Sequence, residues 1–198
     1  MAGQLASTTI VVGMDFSEEG ERALEAALRF ASNFQGVDVH VLHVDMEERN
    51  FDASHDVVFE RLEDTVQGRC EALAVSLGSV LRVRVLTHIR RGVPATQIVQ
   101  IAADLNADLV VVGTRGKRGL ERLMLGSVAE AVARHACCPV WIVRAKDHDR
   151  AGDVPNIEPP CARCVGRRQE TQGEQLWCAT HIEKYVVPHR LTYSSEER

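Results

Sequence analysis

Hydrophobic positions along residues 9–143 switch repeatedly between two periods, and the switches mark out alternating strands and helices. Short apolar or alternating runs that are rich in β-branched residues indicate strands. A repeat at intervals of three and four residues, as at Leu24, Leu28 and Ala31, indicates one face of a helix. The predicted strands are Thr9–Met14, Val37–Val44, Leu81–Thr87, Asp108–Gly113 and Val140–Val143.

A helical segment separates each predicted strand from the next. The helices run from Glu19 to a break at Gly36, along the face Val58–Leu77, from Pro94 onwards, and over Val128–His135. Strands joined in this way pair in parallel through right-handed crossovers. The predicted fold is therefore α/β, with a doubly wound, five-stranded parallel sheet in three layers. Ligands bind such sheets beyond the carboxyl ends of the strands, which directs attention to Gly13–Ser17 and Gly113–Ser127.

The character of the chain changes after Val143. The predicted first domain spans residues 1–146, and a polar, proline-containing linker follows over 147–160. Residues 161–198 contain three cysteines and few aliphatic residues, which predicts a small separate module.

The composition of the chain excludes several classes of protein. The chain has 198 residues, of which 45% are hydrophobic, so an extended disordered protein is not expected. A net charge of −5 argues against nucleic-acid binding by charge alone. Short apolar runs and an N-terminus without a signal-peptide pattern predict a cytoplasmic protein with no membrane segment. Its six cysteines are then expected to be reduced.

The segment Gly113–Ser127 has the features of a phosphate-binding loop. Glycines allow the backbone to approach a bulky anion, and the N–H groups at a helix start attract phosphate. Arg115 and its basic neighbours add positive charge, although an ordinary surface loop with solvated charges is an alternative. Asp15 could bind ribose or a phosphate-bound metal, or it could cap the first helix together with Ser17. The sequence contains neither a P-loop motif nor the dinucleotide-binding glycine fingerprint.

These residues resemble the universal stress protein (UspA-type) family. The resemblance covers residues 8–144 and is strongest in four segments: Val12–Ser17, His43–Asp45, Gly113–Ser127 and Pro139–Val143. The loop matches the pattern G-x₂-G-x₉-G-[ST] of the ATP-binding branch, whereas another branch lacks this loop and does not bind ATP.

The resemblance implies a cytoplasmic, ATP-binding regulator of stress survival, with Mg²⁺ accompanying ATP. The backbone of Val44 would meet adenine, and Asp15 would lie beside the ribose or the metal-bound phosphates. A homodimer would form through the last strand, residues 139–143. The predicted cofactor-binding residues are Asp15, Val44, Gly113, Arg115, Gly116, Gly126, Ser127 and Val128.

An enzymatic role is an alternative, in the form of slow ATP hydrolysis or phosphotransfer with Asp15 holding a metal. Hydrolysis needs a base or a water-positioning group. No activated nucleophile or general base is evident in the sequence, and His43, His88 and His135 are interpreted as packed or surface residues. No catalytic residue is therefore predicted.

The C-terminal module carries a metal-site spacing. Cys161-x₂-Cys164 is followed by Cys178-x₂-His181, and two such pairs supply the four ligands of a closed, structural zinc site. A tight knuckle is expected at Gly166. His189 is a rival fourth ligand. The same cysteines could instead form a redox-active pair, hold an iron–sulfur cluster, or remain free thiols in a disordered tail.

Small zinc ribbons contact other macromolecules, and this module is not basic overall. Contact with a protein partner, or packing on the first domain, is therefore expected rather than DNA binding. A zinc–thiol redox sensor with a vestigial nucleotide site is a third hypothesis for the whole chain.

Overall fold

Five parallel strands form the sheet of this protein, in the order β3-β2-β1-β4-β5. The computed structural model describes residues 7–46, 54–77, 82–114, 125–148 and 154–184. The strands are β1 (Thr8–Met14), β2 (Val37–Asp45), β3 (Arg84–Arg91), β4 (Leu109–Gly113) and β5 (Val140–Val143). The parallel sheet and the α/β class predicted from the sequence are confirmed.

Four helices cover the two faces of the sheet: α1 (Glu18–Ala31), α2 (Ser54–Leu77), α3 (Pro94–Asp104) and α4 (Ser127–His135). Side chains alternate between faces along each strand. Ile10 and Val12 pack in a cluster with α1 and α2, whereas Val11 packs in a second cluster with α3 and α4. The sheet therefore has an apolar core on each side, which gives the three layers.

The third strand differs from its sequence prediction. The hydrophobic pattern predicts Leu81–Thr87, but β3 pairs with β2 from Asp38↔Arg84 to Asp45↔Arg91. β3 lies at the edge of the sheet. Its first residue, Arg84, is exposed, and the rest of its residues are partly exposed. An edge strand tolerates polar side chains, so the hydrophobic pattern ends before the strand does.

Two histidines interact across β2 and β3. His40 Nδ1 lies 2.9 Å from His88 Nε2, and the stacked rings have centroids 5.1 Å apart. His40 is buried. Burial lowers the pKa of both imidazoles, and Arg84 and Arg90 lower the pKa of His40 and His88 respectively. Asp38 opposes the effect at His40, but the net direction is downward.

This pair predicts that the protein loses stability in mild acid. The folded state holds both imidazoles neutral below their ordinary pKa of 6.5, whereas the unfolded chain takes up protons there. The free energy of unfolding should therefore fall as the pH drops from 7 to about 5. Denaturant unfolding at a series of pH values measures this slope.

Variants assign the slope to the pair. The double variant His40→Gln/His88→Gln should flatten the slope, and the exposed His135→Gln should leave it unchanged. An unfolding free energy that is constant or rises between pH 7 and 5 would contradict the assignment.

The chain divides into two compact units, Met1–Ala145 and Lys146–Arg198. The second unit contains two short helices, α5 (Ala162–Glu170) and α6 (Ala179–Lys184). A linker over residues 147–160 stays a prediction. Within the described residues, no helix has the length and apolar character needed to cross a bilayer.

Candidate functional site

The crevice of the sheet lies between β1 and β4, which are paired neighbours. The chain leaves β1 towards β2 on one side and leaves β4 towards β5 on the other. This reversal of direction opens a gap beyond the carboxyl ends of the two strands. Asp15 follows β1 and Thr114 follows β4. Both segments that the sequence analysis singled out, Gly13–Ser17 and Gly113–Ser127, therefore begin at this edge of the sheet.

Asp15 and Ser17 form a hydrogen-bonded turn at the start of α1. Asp15 Oδ1 accepts hydrogen bonds from the Ser17 backbone N–H at 3.0 Å and from Ser17 Oγ at 2.5 Å. Ser17 Oγ in turn accepts from the Gly20 N–H at 3.1 Å and is the N-cap of α1. The capping role that the sequence left open is therefore present. It also fixes the Asp15 carboxylate at the crevice edge.

A stack of side chains supports this turn. Phe16 has a positive φ of 58°, which is unusual for a residue with a side chain. Its ring centroid lies 4.7 Å from that of His43, and the Arg61 guanidinium carbon lies 4.5 Å from the ring centroid. His43 Nδ1 lies 2.8 Å from the Met14 carbonyl oxygen and is its donor. No sequence motif links these three residues, so the stack was not predictable from the sequence.

Gly113 is a glycine for a packing reason. A Cβ atom on Gly113 would lie 2.7 Å from the backbone oxygen of Glu19 in α1. A Cβ on Gly20 would lie 2.7 Å from Asp15 Oδ1. The first turn of α1 therefore fits closely between the ends of β1 and β4. The close neighbour of Gly113 in the structure is the backbone of α1, and the approach of the loop glycines to an anion stays a prediction.

The N-terminus of α4 lies at the crevice without a side-chain cap. Its N-cap is Gly126, which has an extended backbone with φ −65° and ψ 147°. Gly126 N donates to the Thr114 oxygen at 2.8 Å, and Thr114 N donates to the Val143 oxygen at 3.2 Å. The first bond joins the two ends of the loop, and the second ties the start of the loop to the end of β5. The first N–H groups of the nine-residue helix, from Ser127 onwards, have no carbonyl partner within the helix.

The remaining predicted binding residues fall into two groups. Val44 is nearly buried, and it lies one residue beyond Met14↔His43, the last position at which β1 pairs with β2. Arg115 and Gly116 lie outside the described residues. The structure thus brings Asp15, Val44, Gly113, Gly126, Ser127 and Val128 to the same edge of the sheet.

A second site is present in the C-terminal unit. The potential ligand atoms of Cys161, Cys164, Cys178 and His181 all lie within 4.8 Å of one another. His181 Nδ1 is 3.1 Å from Cys164 Sγ and 3.5 Å from Cys178 Sγ. Cys161 is the N-cap of α5. A hydrogen bond from the backbone N–H of Cys164 lowers the pKa of the Cys161 thiol.

One expectation about this unit is wrong. The sequence predicts a tight knuckle at Gly166, but Gly166 lies inside α5, because residues 162–170 continue as a regular helix. The first cysteine pair therefore lies at a helix N-terminus. His189, the rival ligand, lies outside the described residues.

Comparison with known proteins identifies the first unit. A family model described as the universal stress protein family matches residues 7–144. The chain belongs to the universal stress protein family. The match ends before Cys161, so the cysteine and histidine cluster lies outside the family domain.

Two relatives are similar over most of their own length. The universal stress protein MJ0531 of Methanocaldococcus jannaschii is 34% identical over 140 residues, which cover 68% of this chain and 81% of that protein. The universal stress protein YxiE of Bacillus subtilis is 30% identical over 145 residues, which cover 68% of this chain and 97% of that protein.

Solved structures share the fold of the universal stress protein domain. The hypothetical protein MJ0577 matches with a TM-score of 0.52 and 29% identity, over 72% of this chain and 99% of that one. A universal stress protein in complex with cAMP matches with a TM-score of 0.54 and 24% identity, over 71% of this chain and 99% of that one. At the latter identity, the likeness concerns the fold alone.

Proposed function

We propose that the universal stress protein domain binds ATP, with Mg²⁺, in the crevice between β1 and β4. The observation that carries this proposal is the N-terminus of α4. It follows a G-x₂-G-x₉-G-[ST] loop, it is capped by a glycine with no side chain, and its loop is closed by the hydrogen bond from Gly126 to Thr114. Such a helix start offers N–H donors and a positive dipole end to phosphate.

The other residues supply complementary contacts. The backbone of Val44 lies past the end of the β1–β2 ladder, where it is available to the adenine edge. Asp15 is held at the crevice by Ser17, and its carboxylate is a suitable ligand for Mg²⁺ or for ribose hydroxyls. The choice of ATP depends on the glycine pattern, because the likeness to the cAMP complex concerns the fold alone.

The arrangement favours a regulator over a hydrolase. His43 donates Nδ1–H to the Met14 carbonyl oxygen, and His88 contacts His40. His135 ends α4, whereas the crevice lies at the start of that helix. His88 is therefore paired with His40, His135 is distant from the crevice, and the His43 ring packs against Phe16, so the proposal assigns none of the three the role of a base. Nucleotide bound at the start of α4 would change the surface beside the crevice, and a partner could contact that surface.

Calorimetric titration with ATP and Mg²⁺ tests this function. Saturation at about one nucleotide per chain is the expected result. Steady-state release of phosphate distinguishes a hydrolase from a protein that only binds ATP. A hydrolase that uses Asp15 would lose its turnover in Asp15→Ala. Unchanged turnover in that variant would show that Asp15 does not hold a metal ion needed for hydrolysis.

The same proposal includes a homodimer formed through residues 139–143. β5 is the other edge of the sheet, so one side of it has no strand partner within the described chain. Trp141 on this strand is 39% exposed and makes an edge contact with Phe30, whose ring neighbours Phe34. An exposed strand edge beside three aromatic rings is suited to contact a second copy.

Trp141→Lys should weaken this dimer. A charge in the aromatic cluster should cost about 2 kcal/mol or more of association free energy, as expected for an interface anchor. Sedimentation at a series of concentrations should show dimers for the wild type and for the matched Trp141→Phe, and monomers for Trp141→Lys. A wild-type monomer at the highest concentration, or a Lys variant that dimerises equally well, would contradict the proposal.

A further inference from the structure

The C-terminal unit has no apolar core in its described part. Among residues 154–184, the only buried side chains are those of Cys164 and Cys178. The two helices have nine and six residues, and isolated helices of this length are unstable in water. Units with so little apolar burial depend on a disulfide or a metal for their fold. All three cysteines of the unit are free thiols in the structure, and they lie together with His181 as potential metal ligands.

The cluster has the dimensions of a tetrahedral zinc site. Zinc binds thiolate sulfur at about 2.3 Å and imidazole nitrogen at about 2.0–2.1 Å, so its ligand atoms lie roughly 3.4–3.8 Å apart. The four potential ligand atoms here lie within 4.8 Å of one another, and His181 Nδ1 is 3.1 and 3.5 Å from two sulfurs. One ion at the centre can therefore reach all four with small side-chain shifts.

Secondary structure holds the ligands in pairs. Cys161 and Cys164 lie one helical turn apart at the start of α5, and Cys178 and His181 are related in the same way at the start of α6. Residues three apart lie on one side of a helix. The two helix starts are connected directly, because the Cys178 N–H donates to Cys164 Sγ at 3.3 Å. An N–H donor to a metal-bound thiolate is a common support of such sites.

Further polar contacts close the unit around the cluster. Lys184 at the end of α6 pairs with both carboxylate oxygens of Glu158, at 2.6 and 2.8 Å. Arg168 donates to the Leu176 carbonyl oxygen at 3.2 Å. The exposed pair of Lys184 and Glu158 contributes little stability by itself, but together with the part-buried bond of Arg168 it connects segments that flank the ligands.

We infer that Cys161, Cys164, Cys178 and His181 bind one Zn²⁺ in a closed structural site, with His181 coordinating through Nδ1. Three thiolates and one imidazole fill a tetrahedral shell, so no position is open for a substrate. The ion links α5 to α6 and supplies the stabilisation that apolar burial does not provide within residues 154–184. The inference is independent of nucleotide binding, since every residue that it uses lies outside the family domain.

Metal analysis of the full chain, purified without chelators, tests the inference. Elemental analysis should find about one zinc per chain in the wild type. His181→Ala should lose the zinc, whereas His181→Cys should retain it by completing a four-thiolate site. His189→Ala is the matched control and should keep the wild-type content. Replacement by Co²⁺ should give the visible absorption of tetrahedral thiolate coordination.

Alkylation provides a second readout. In the zinc-loaded chain, the exposed Cys137 should react quickly, and the three ligand cysteines should react only after a chelator is added. Chelation should also remove the helical signal of α5 and α6 while the family domain stays folded.

Three results would overturn the inference. The first is iron with cluster absorbance in place of zinc. The second is a metal-free chain that forms a reversible Cys161–Cys164 disulfide and takes up no added zinc. The third is loss of zinc in His189→Ala with retention in His181→Ala, which would show that the fourth ligand is the other histidine.

Discussion

Ser127→Glu should lower the affinity for ATP on the order of 100-fold while leaving the domain at least as stable as the wild type. Ser127 is the exposed first residue of α4. A carboxylate there interacts favourably with the positive end of the helix and should add about 0.3–1 kcal/mol of stability. The same carboxylate occupies the place where we expect phosphate, so it repels the ligand.

The opposite signs of the two effects make this variant informative. A substitution that merely damages the fold would lower both affinity and stability. Ser127→Gln is the matched control, because it has the same size without the charge, and it should lose only several-fold in affinity through the missing hydroxyl. Calorimetric titration and thermal unfolding measure the two effects. Equal affinity for ATP in the wild type and in Ser127→Glu would show that the phosphates do not bind at the start of α4.

Gly113→Ala should destabilise the domain by about 1–3 kcal/mol in the absence of any nucleotide. The new methyl group would lie 2.7 Å from the backbone oxygen of Glu19. A backbone atom in the first turn of α1 cannot move aside as a flexible side chain can. The helix start must shift, and with it the Ser17 cap and the Asp15 turn.

Gly68→Ala is the matched control for this loss. Gly68 lies in α2, and a Cβ there would meet nothing within 4 Å. Alanine should therefore stabilise that helix by about 0.5–1 kcal/mol. Denaturant unfolding without nucleotide compares the two variants. A Gly113→Ala protein as stable as the wild type would show that this glycine serves the ligand rather than the packing.

The fold was predictable because its hydrophobic periods are regular. Buried strands such as β4 are continuous apolar runs, and α1 has a clear apolar face. The bounds of β3 were not predictable from that pattern, because an edge strand needs no apolar side chain at every second position. Its register depends instead on the ladder to β2.

The candidate sites were predictable where a motif spacing or the order of the strands connects the residues. The spacing of Cys161, Cys164, Cys178 and His181 indicated a cluster, which the structure contains. The contact of His40 with His88 joins residues 48 apart, and no motif connects them. The packing reason for a glycine at position 113 was also not predictable, because it depends on where the backbone of α1 lies. A cytoplasmic location and a protein partner for the C-terminal unit stay predictions.

The proposed function depends on ATP binding in the crevice at the start of α4. Titration calorimetry of the zinc-replete chain with ATP and Mg²⁺ tests it most directly, with Ser127→Glu titrated in parallel. We expect saturable binding at about one ATP per chain for the wild type and a large loss of affinity for the variant. No saturable binding at several temperatures, by wild-type protein that also carries no ATP from purification, would contradict it.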